Sequence, residues 1–488
     1  MEKAPASALC LFLLYVVVFV PAADGIGVFN VERKFKLAGG RHRNMSDLRA
    51  HDARRHSRML AAAATTAAVD IPLGGLSLPT ATGLYYAKIG IGTPGQDYYV
   101  QVDTGSDLLW INCVECNNCP KDSNIGIKLK LYDLKGSGSG NEVSCDDSFC
   151  SLMYDSVPKG CVRGVPCQYS VMYGDGSSSG GYIVRDVVRY NQVAGDHHTI
   201  AANASIAFGC GAIQTGEETD DAVDGLLGFG QANYSMISQM ASSGKVRKIF
   251  AHCLDTINGG GIFAIGNVVE PKVKTTPMVP DMPHYNVILK SIDVGGTFLQ
   301  LPTDLFELGD GKGTIIDSGT TLAYIPDEAY NPMMDAIFGN HKDLGFHNEG
   351  DFICFIYSGS VDDAFPIVTL HFEKLLTLSV KPSDYFFQYK DNYWCIGWQR
   401  RGPQPKDQKD LFLLGDFLLS NKLVVYDLEK QVIGWTDYNC SSSIKIEDDN
   451  SGKVYSVDAH NVSTSSRLET GRLTVLLLLT SIMMFLIQ

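Results

Sequence analysis

The sequence predicts an all-β protein made of two related lobes, and three observations carry that prediction. From Tyr85 onward the chain runs in short β-rich stretches, such as Tyr85 to Ile91 and Asp97 to Val102, broken by Gly, Pro, Asn and Asp turns. An internal echo recurs at a spacing of 214 residues: an apolar strand runs into Asp103-Thr104-Gly105-Ser106, and another into Asp317-Ser318-Gly319-Thr320. Each motif is followed by an apolar pair closed by glycine, Asp224-Gly-Leu-Leu-Gly228 in the first half and Phe412-Leu-Leu-Gly-Asp416 in the second. A 488-residue chain that is 45% hydrophobic and 19% charged buries cores, which excludes a disordered or coiled-coil protein.

The segments follow in order. Lys3, an apolar run from Ala8 to Val20 and the small residues Ala22, Ala23 and Gly25 have the layout of a secretory signal peptide, taken as residues 1–23. The first 78 residues carry ten Lys/Arg against six Asp/Glu, whereas the remainder is net −18, so a basic head precedes an acidic body. With a chain total of −14, general attraction to nucleic acid has no support. Short helices are expected near Met236 to Gly244 and Asp327 to Phe338, and the Gly/Ser stretch Gly136 to Gly140 reads as a flexible loop. The join between lobes falls between Thr275 and His284, giving lobes over 71–276 and 277–440.

After a polar linker over 441–465, the chain ends in an apolar run from Leu473 to Ile487. That run is short of the roughly 20 residues that span a bilayer. Small residues, a spacer and a short apolar tail match the signal for a glycosylphosphatidylinositol (GPI) anchor, with attachment at Ser463 or a nearby small residue and removal of 466–488. The expectation is therefore a chain that passes through the secretory pathway and sits, membrane-anchored, on the outer face of the plasma membrane. Sequons at Asn203, Asn233, Asn439 and Asn461 are candidate glycosylation sites on that route; Asn44 lies in the basic head. Once Cys10 leaves with the signal peptide, twelve cysteines remain, an even number in an oxidising compartment. Cys113, Cys116 and Cys119 have ligand-like spacing, but in that compartment pairing outweighs metal binding, so neither metal nor cofactor is expected.

The chemistry lies in the duplicated motif. A strand ending in Asp-hydroxyl-Gly sets a carboxylate in a tight turn, where glycine admits close approach and hydroxyls can hydrogen-bond it. One copy is an ordinary turn. Two copies on facing lobes can bring Asp103 and Asp317 together, where like charges cannot both ionise and the pair keeps one proton. Such a dyad offers an acid and a base at once, which suits amide hydrolysis by water.

On these motifs the chain resembles the pepsin-like aspartic proteases, and within them the plant, nepenthesin-related group. The resemblance spans roughly Val28 to Cys440. It implies a bilobal pepsin-like fold with an active-site cleft between the lobes, a protein or peptide substrate, and a monomer. It implies Asp103 and Asp317 as catalytic dyad, Ser106 and Thr320 bonded to the carboxylates, and Thr104 and Ser318 tying the turns together beside Gly105 and Gly319. A mobile hairpin over the cleft, with a tyrosine at its tip, corresponds to Tyr173-Gly174-Asp175-Gly176, with Trp110 beneath it. The third position of that motif is Asp175, where animal pepsins have Thr. The basic head over 24–70 resembles the family's propeptide, and the cysteines imply pairs 113–116, 119–210, 145–167, 150–161, 253–440 and 354–395. No saposin-like insert fits between Asp317 and Cys440. A catalytically silent ligand-binding member of the fold is the rival reading, and the intact pair of motifs weighs against it.

Overall fold

A computed structural model describes residues 66–216, 222–309, 311–350, 352–401, 410–449 and 451–462. The signal segment, nearly all of the basic head, Asn44, Ser463 and the apolar tail lie outside these residues.

Period-two patterning explains the strands that matter most. In Gln96–Asp103, Tyr98, Val100 and Val102 turn inward while Tyr99 and Gln101 stay half-buried, so the strand delivers Asp103 at its buried end. The apolar Gly225–Gly228 strand runs parallel to it, Gly228 opposite Asp103, and antiparallel to Leu109–Asn117. The second lobe repeats the arrangement: Lys312–Ile316, which precedes Asp317, runs parallel to Asp410–Leu414, itself antiparallel to Ala323–Ile325. The duplication is thus one of topology as well as of motif, and the Leu-Leu-Gly runs are the middle strands.

The lobes share a sheet. Along the fifteen-stranded sheet, Lys274–Pro277, Val432–Asp437, Lys422–Asp427, Ile249–Leu254, Gly261–Ile265 and Val69–Asp70 are successive neighbours, so strands from both halves of the chain interleave. Phe250 stacks on Tyr426 with ring centroids 4.4 Å apart, and Tyr285 packs edge-on to Tyr426 at 4.7 Å. Such ring pairs each contribute about 1 kcal/mol beyond the area they bury. The expected helices are Met236–Ser242, capped by Ser235, and Asp327–Ile337.

Four expectations need correction. Residues 66–70 belong to the body, because Val69 and Asp70 pair with Ile265 and Ala264 on one side and Gln192 and Asn191 on the other. The expected polar linker contains a hairpin, Ile444–Asp448 with Lys453–Val457, that buries Ile444, Ile446 and Val457 against Ala68, Val193 and the Cys253–Cys440 bridge. The Gly136 to Gly140 loop is pinned: Ser137 and Ser139 each donate to Asp186 at 2.6 Å, as does Tyr132.

The fourth correction concerns disulfides. Cys253–Cys440 and Cys354–Cys395 pair as the resemblance implied, but the other bridges are Cys113–Cys210, Cys116–Cys119, Cys145–Cys161 and Cys150–Cys167. Cys113 and Cys116 both lie in the extended Leu109–Asn117 strand, where three residues span roughly 10 Å and point to opposite faces. A disulfide needs Cα atoms within about 7 Å. Cys113 instead faces the neighbouring strand, where Ile111 is level with Cys210. Ser144 bridges Pro166 in antiparallel fashion, so Cys145 and Cys167 are diagonal neighbours, about 7–8 Å apart and out of reach.

One ion pair closes the two ends of the described chain. His460 Nε2 lies 2.8 and 2.9 Å from the carboxylate oxygens of buried Asp70. That hydrogen bond, with the charges of Asp70 and Asp458, raises the His460 pKa against the opposing effect of burial. A raised histidine favours folding below its unfolded value, near 6.5, and loses that contribution as pH rises through the folded value. Asp70→Asn is expected to lower the melting temperature at pH 5, by an amount equivalent to roughly 1 kcal/mol, with the gap narrowing towards pH 9. Parallel melting curves for wild type and variant across pH 5–9 would refute the coupling.

Candidate active site

Each catalytic turn is tied first to itself. Gly105 N–H donates to Asp103 Oδ1 at 2.7 Å and the Ser106 hydroxyl to Asp103 Oδ2. In the second lobe Gly319 N–H donates to Asp317 Oδ1 at 2.8 Å and the Thr320 hydroxyl to Asp317 Oδ2 at 2.7 Å. Thus each carboxylate has one oxygen held by a backbone amide and the other by a hydroxyl.

The turns are then tied to each other. Ser318 N–H donates to Thr104 Oγ1 at 2.9 Å, and Thr104 N–H to Ser318 Oγ at 3.3 Å. Ser318 Oγ also donates to Val102 O at 3.4 Å. Thr104 is fully buried and Ser318 nearly so, which makes these bonds costly to leave unmade. The glycines set the separation of the turns. A Cβ on Gly105 would lie 2.6 Å from Asp317 Oδ1, and one on Gly319 would run into the Asp103 carboxylate. Each glycine therefore faces the other lobe's acid, and any side chain there would push the carboxylates apart.

Burial first, and then the Asp317 charge, push the Asp103 carboxyl up to about 7, against the pull of Ser106 and the Gly105 amide. Asp103 therefore retains its proton well above the usual carboxylate range. Sequence reasoning passed over a third acid. Asp416 is 1% exposed, with Oδ1 unpartnered among the described residues. Burial, reinforced by the Asp317 charge, holds its carboxyl far above the ordinary range. The signal for it was an acid inside the apolar run Phe412-Leu-Leu-Gly-Asp-Phe-Leu-Leu419.

The hairpin predicted over the cleft is built from Gln168–Met172 and the start of Ser178–Gly195. Its turn closes by Tyr173 N–H to Ser177 O at 2.9 Å and Gly176 N–H to Tyr173 O at 3.0 Å. Trp110 Nε1–H donates to Tyr173 Oη at 2.6 Å, joining two residues the motifs had singled out. Burial raises the Tyr173 phenol, and the charge of Asp103 adds to this. Asp175 is exposed and accepts from Ser177 N–H and hydroxyl at 2.9 and 2.7 Å, while Gly174 is exposed beside it. Of the sequons, Asn203, Asn233 and Asn439 are exposed, and Asn461 Nδ2 donates to Asn258 O.

The raised Asp103 has a consequence for stability. A carboxyl whose folded pKa exceeds its unfolded value, near 4, favours folding at low pH and disfavours it as pH rises through about 7. Asp103→Asn is expected to melt higher than wild type at pH 8, with the gap closing towards pH 4. Thermal unfolding across that range tests it, and a variant equally stable or less stable at pH 8 would contradict it.

The chain matches two family profiles, described as xylanase inhibitor N-terminal over residues 85–267 and xylanase inhibitor C-terminal over residues 284–437. It is 48% identical to aspartic proteinase 36 of Arabidopsis thaliana and 46% identical to aspartic proteinase 39 of the same plant, each alignment covering 94% of both chains. Among solved structures, conglutin gamma, a basic 7S globulin from lupine seeds, superposes with a TM-score of 0.61 at 18% identity, covering 77% of this chain and 96% of its own, a likeness of fold alone. With a facing pair of motif carboxylates and relatives of this identity along nearly its full length, the chain belongs to the pepsin-like aspartic proteinases of plants, a family of aspartic endopeptidases.

Proposed function

We infer that this protein cleaves peptide bonds by activating water between Asp103 and Asp317, that it is made as a zymogen, and that it is displayed at the cell surface. The observation that carries the catalytic reading is the mutual approach of two carboxylates, each bonded at both oxygens, with Asp103 raised to about 7. Between pH values where both are protonated and where both are ionised, the pair holds one proton. The ionised member takes a proton from water, and the protonated member hydrogen-bonds the substrate carbonyl. The oxygen of that water adds to the carbonyl carbon, giving a tetrahedral intermediate with no acyl-enzyme. Collapse passes a proton to the departing amine and releases two peptide ends.

Fixed donors on both carboxylates mean that little reorganises as charge moves between them. The Tyr173 hairpin, bonded to Trp110, is positioned to exclude bulk water. The nepenthesin-related placement is supported by Asp175 at the hairpin turn. The basic head supports the zymogen: its cations can lie across an acidic body and leave as acid protonates the carboxylates that hold them. Display at the surface through a GPI anchor is supported by the signal segment, the even cysteine count and the C-terminal signal. Protein or peptide substrates fit this reading, as does action as a monomer, since both acids come from one chain.

Purified protein lacking the signal segment and apolar tail is expected to degrade a denatured protein between pH 3 and 6, with activity lost as pH rises past about 7. Asp103→Asn and Asp317→Asn are each expected to lower the rate by about 10³-fold or more, and pepstatin to inhibit the wild type. Absence of cleavage after removal of the basic head, in folded protein, would refute the catalytic reading and favour a binding role.

A further inference from the structure

We propose that Gln101 and His284 are reciprocal positioning residues, each holding the peptide plane of the catalytic turn on the opposite lobe. Gln101, two residues before Asp103, sends Nε2–H across the interface to Gly319 O at 3.2 Å. His284 enters the second lobe just before the Asn286–Val287 strand, and its Nδ1 lies 2.9 Å from Gly105 O. A carbonyl can only accept, so the imidazole proton sits on Nδ1. These bonds flank the Thr104–Ser318 pair and repeat its logic of each lobe serving the other.

The need for them follows from the glycines. Close approach of the acids leaves no room for a side chain at 105 or 319, and glycine leaves its backbone loosely determined. The peptide after each glycine carries the residue whose hydroxyl holds the carboxylate, Ser106 on Asp103 and Thr320 on Asp317. A bond to the glycine carbonyl therefore fixes the plane from which that hydroxyl departs. The donors are themselves held. Gln231 Nε2–H donates to His284 O at 2.7 Å, and Tyr285 hydroxyl donates to Phe229 O at 2.7 Å, whose own N–H donates to Asp103 O at 2.7 Å. Gln101 sits in the strand that delivers Asp103.

This inference deepens the proteolytic reading above, and its test has one arm that does not depend on activity. Amide hydrogen exchange is compared in wild type, Gln101→Leu and His284→Phe. Gln101→Leu is expected to speed exchange across residues 318–321 and not 104–107, and His284→Phe the reverse. Unchanged exchange in the opposite turn, in variants that melt near wild type, would overturn the proposal whether or not the protein cleaves anything.

In the kinetic arm both variants are expected to lose about tenfold or more in kcat with little change in KM. His284→Asn, which keeps a donor at the Nδ1 position, is expected to recover most of that loss. Gln101→Glu donates only when protonated, so its kcat is expected to approach wild type in acid and to fall at lower pH than wild type does. A lowered KM with unchanged kcat would mean that these side chains compete with substrate for the carbonyls, and would overturn the positioning role. Inactive wild-type protein would count against the proteolytic reading alone, and exchange would still decide this one.

Discussion

Two hydrogen bonds between Thr104 and Ser318 fix where the lobes meet, and the chemistry depends on that distance. Each residue donates through its backbone and accepts through its hydroxyl, so neither lobe can shift without breaking both bonds. With the turns locked, each glycine abuts the opposite carboxylate. Burial there, and then the charge of the facing Asp317, suppress ionisation of Asp103. The raised pKa of Asp103 thus depends on the backbone contact between lobes that buries it against Asp317.

The shared sheet turns that local contact into a rigid frame. Strands from both halves interleave beneath the turns, and Phe229, Phe250, Phe263, Tyr285 and Tyr426 form one aromatic layer across the join. A hinge between independently packed lobes would leave the dyad separation to fluctuation. The Tyr173 hairpin stands outside that frame, its turn closed by local bonds and its glycines with open space around them.

The catalytic residues were legible in the sequence because their signal is local. An Asp, a hydroxyl and a glycine in four residues, repeated after a strand, need no knowledge of what they touch. The two-lobed all-β fold followed from the same repeat. What the sequence concealed depends on register. Cys113 meets Cys210, 97 residues away, because their two strands align with Ile111 level with Cys210, and no spacing rule contains that alignment. Gln101 and His284 look like one polar residue in a strand and one histidine before another; only the fold turns them towards glycine carbonyls. Asp416 was visible as an acid among leucines, but its meaning came from lying near Asp317. The hairpin over 444–457 was hidden by its charges, since Lys445, Glu447, Asp448 and Lys453 read as solvated linker until the alternate residues Ile444, Ile446 and Val457 are seen turned inward.

The C-terminal hairpin gives the chain an unusual closure. Ala68, near the first described residue, shares a small core with Ile446 and Val457, and Asp70 grips His460. The segments around Ala68 and His460 are thus each other's packing partners, so neither can peel away without releasing the other, and their opening becomes a single cooperative event coupled to the sheet that Val69–Asp70 joins.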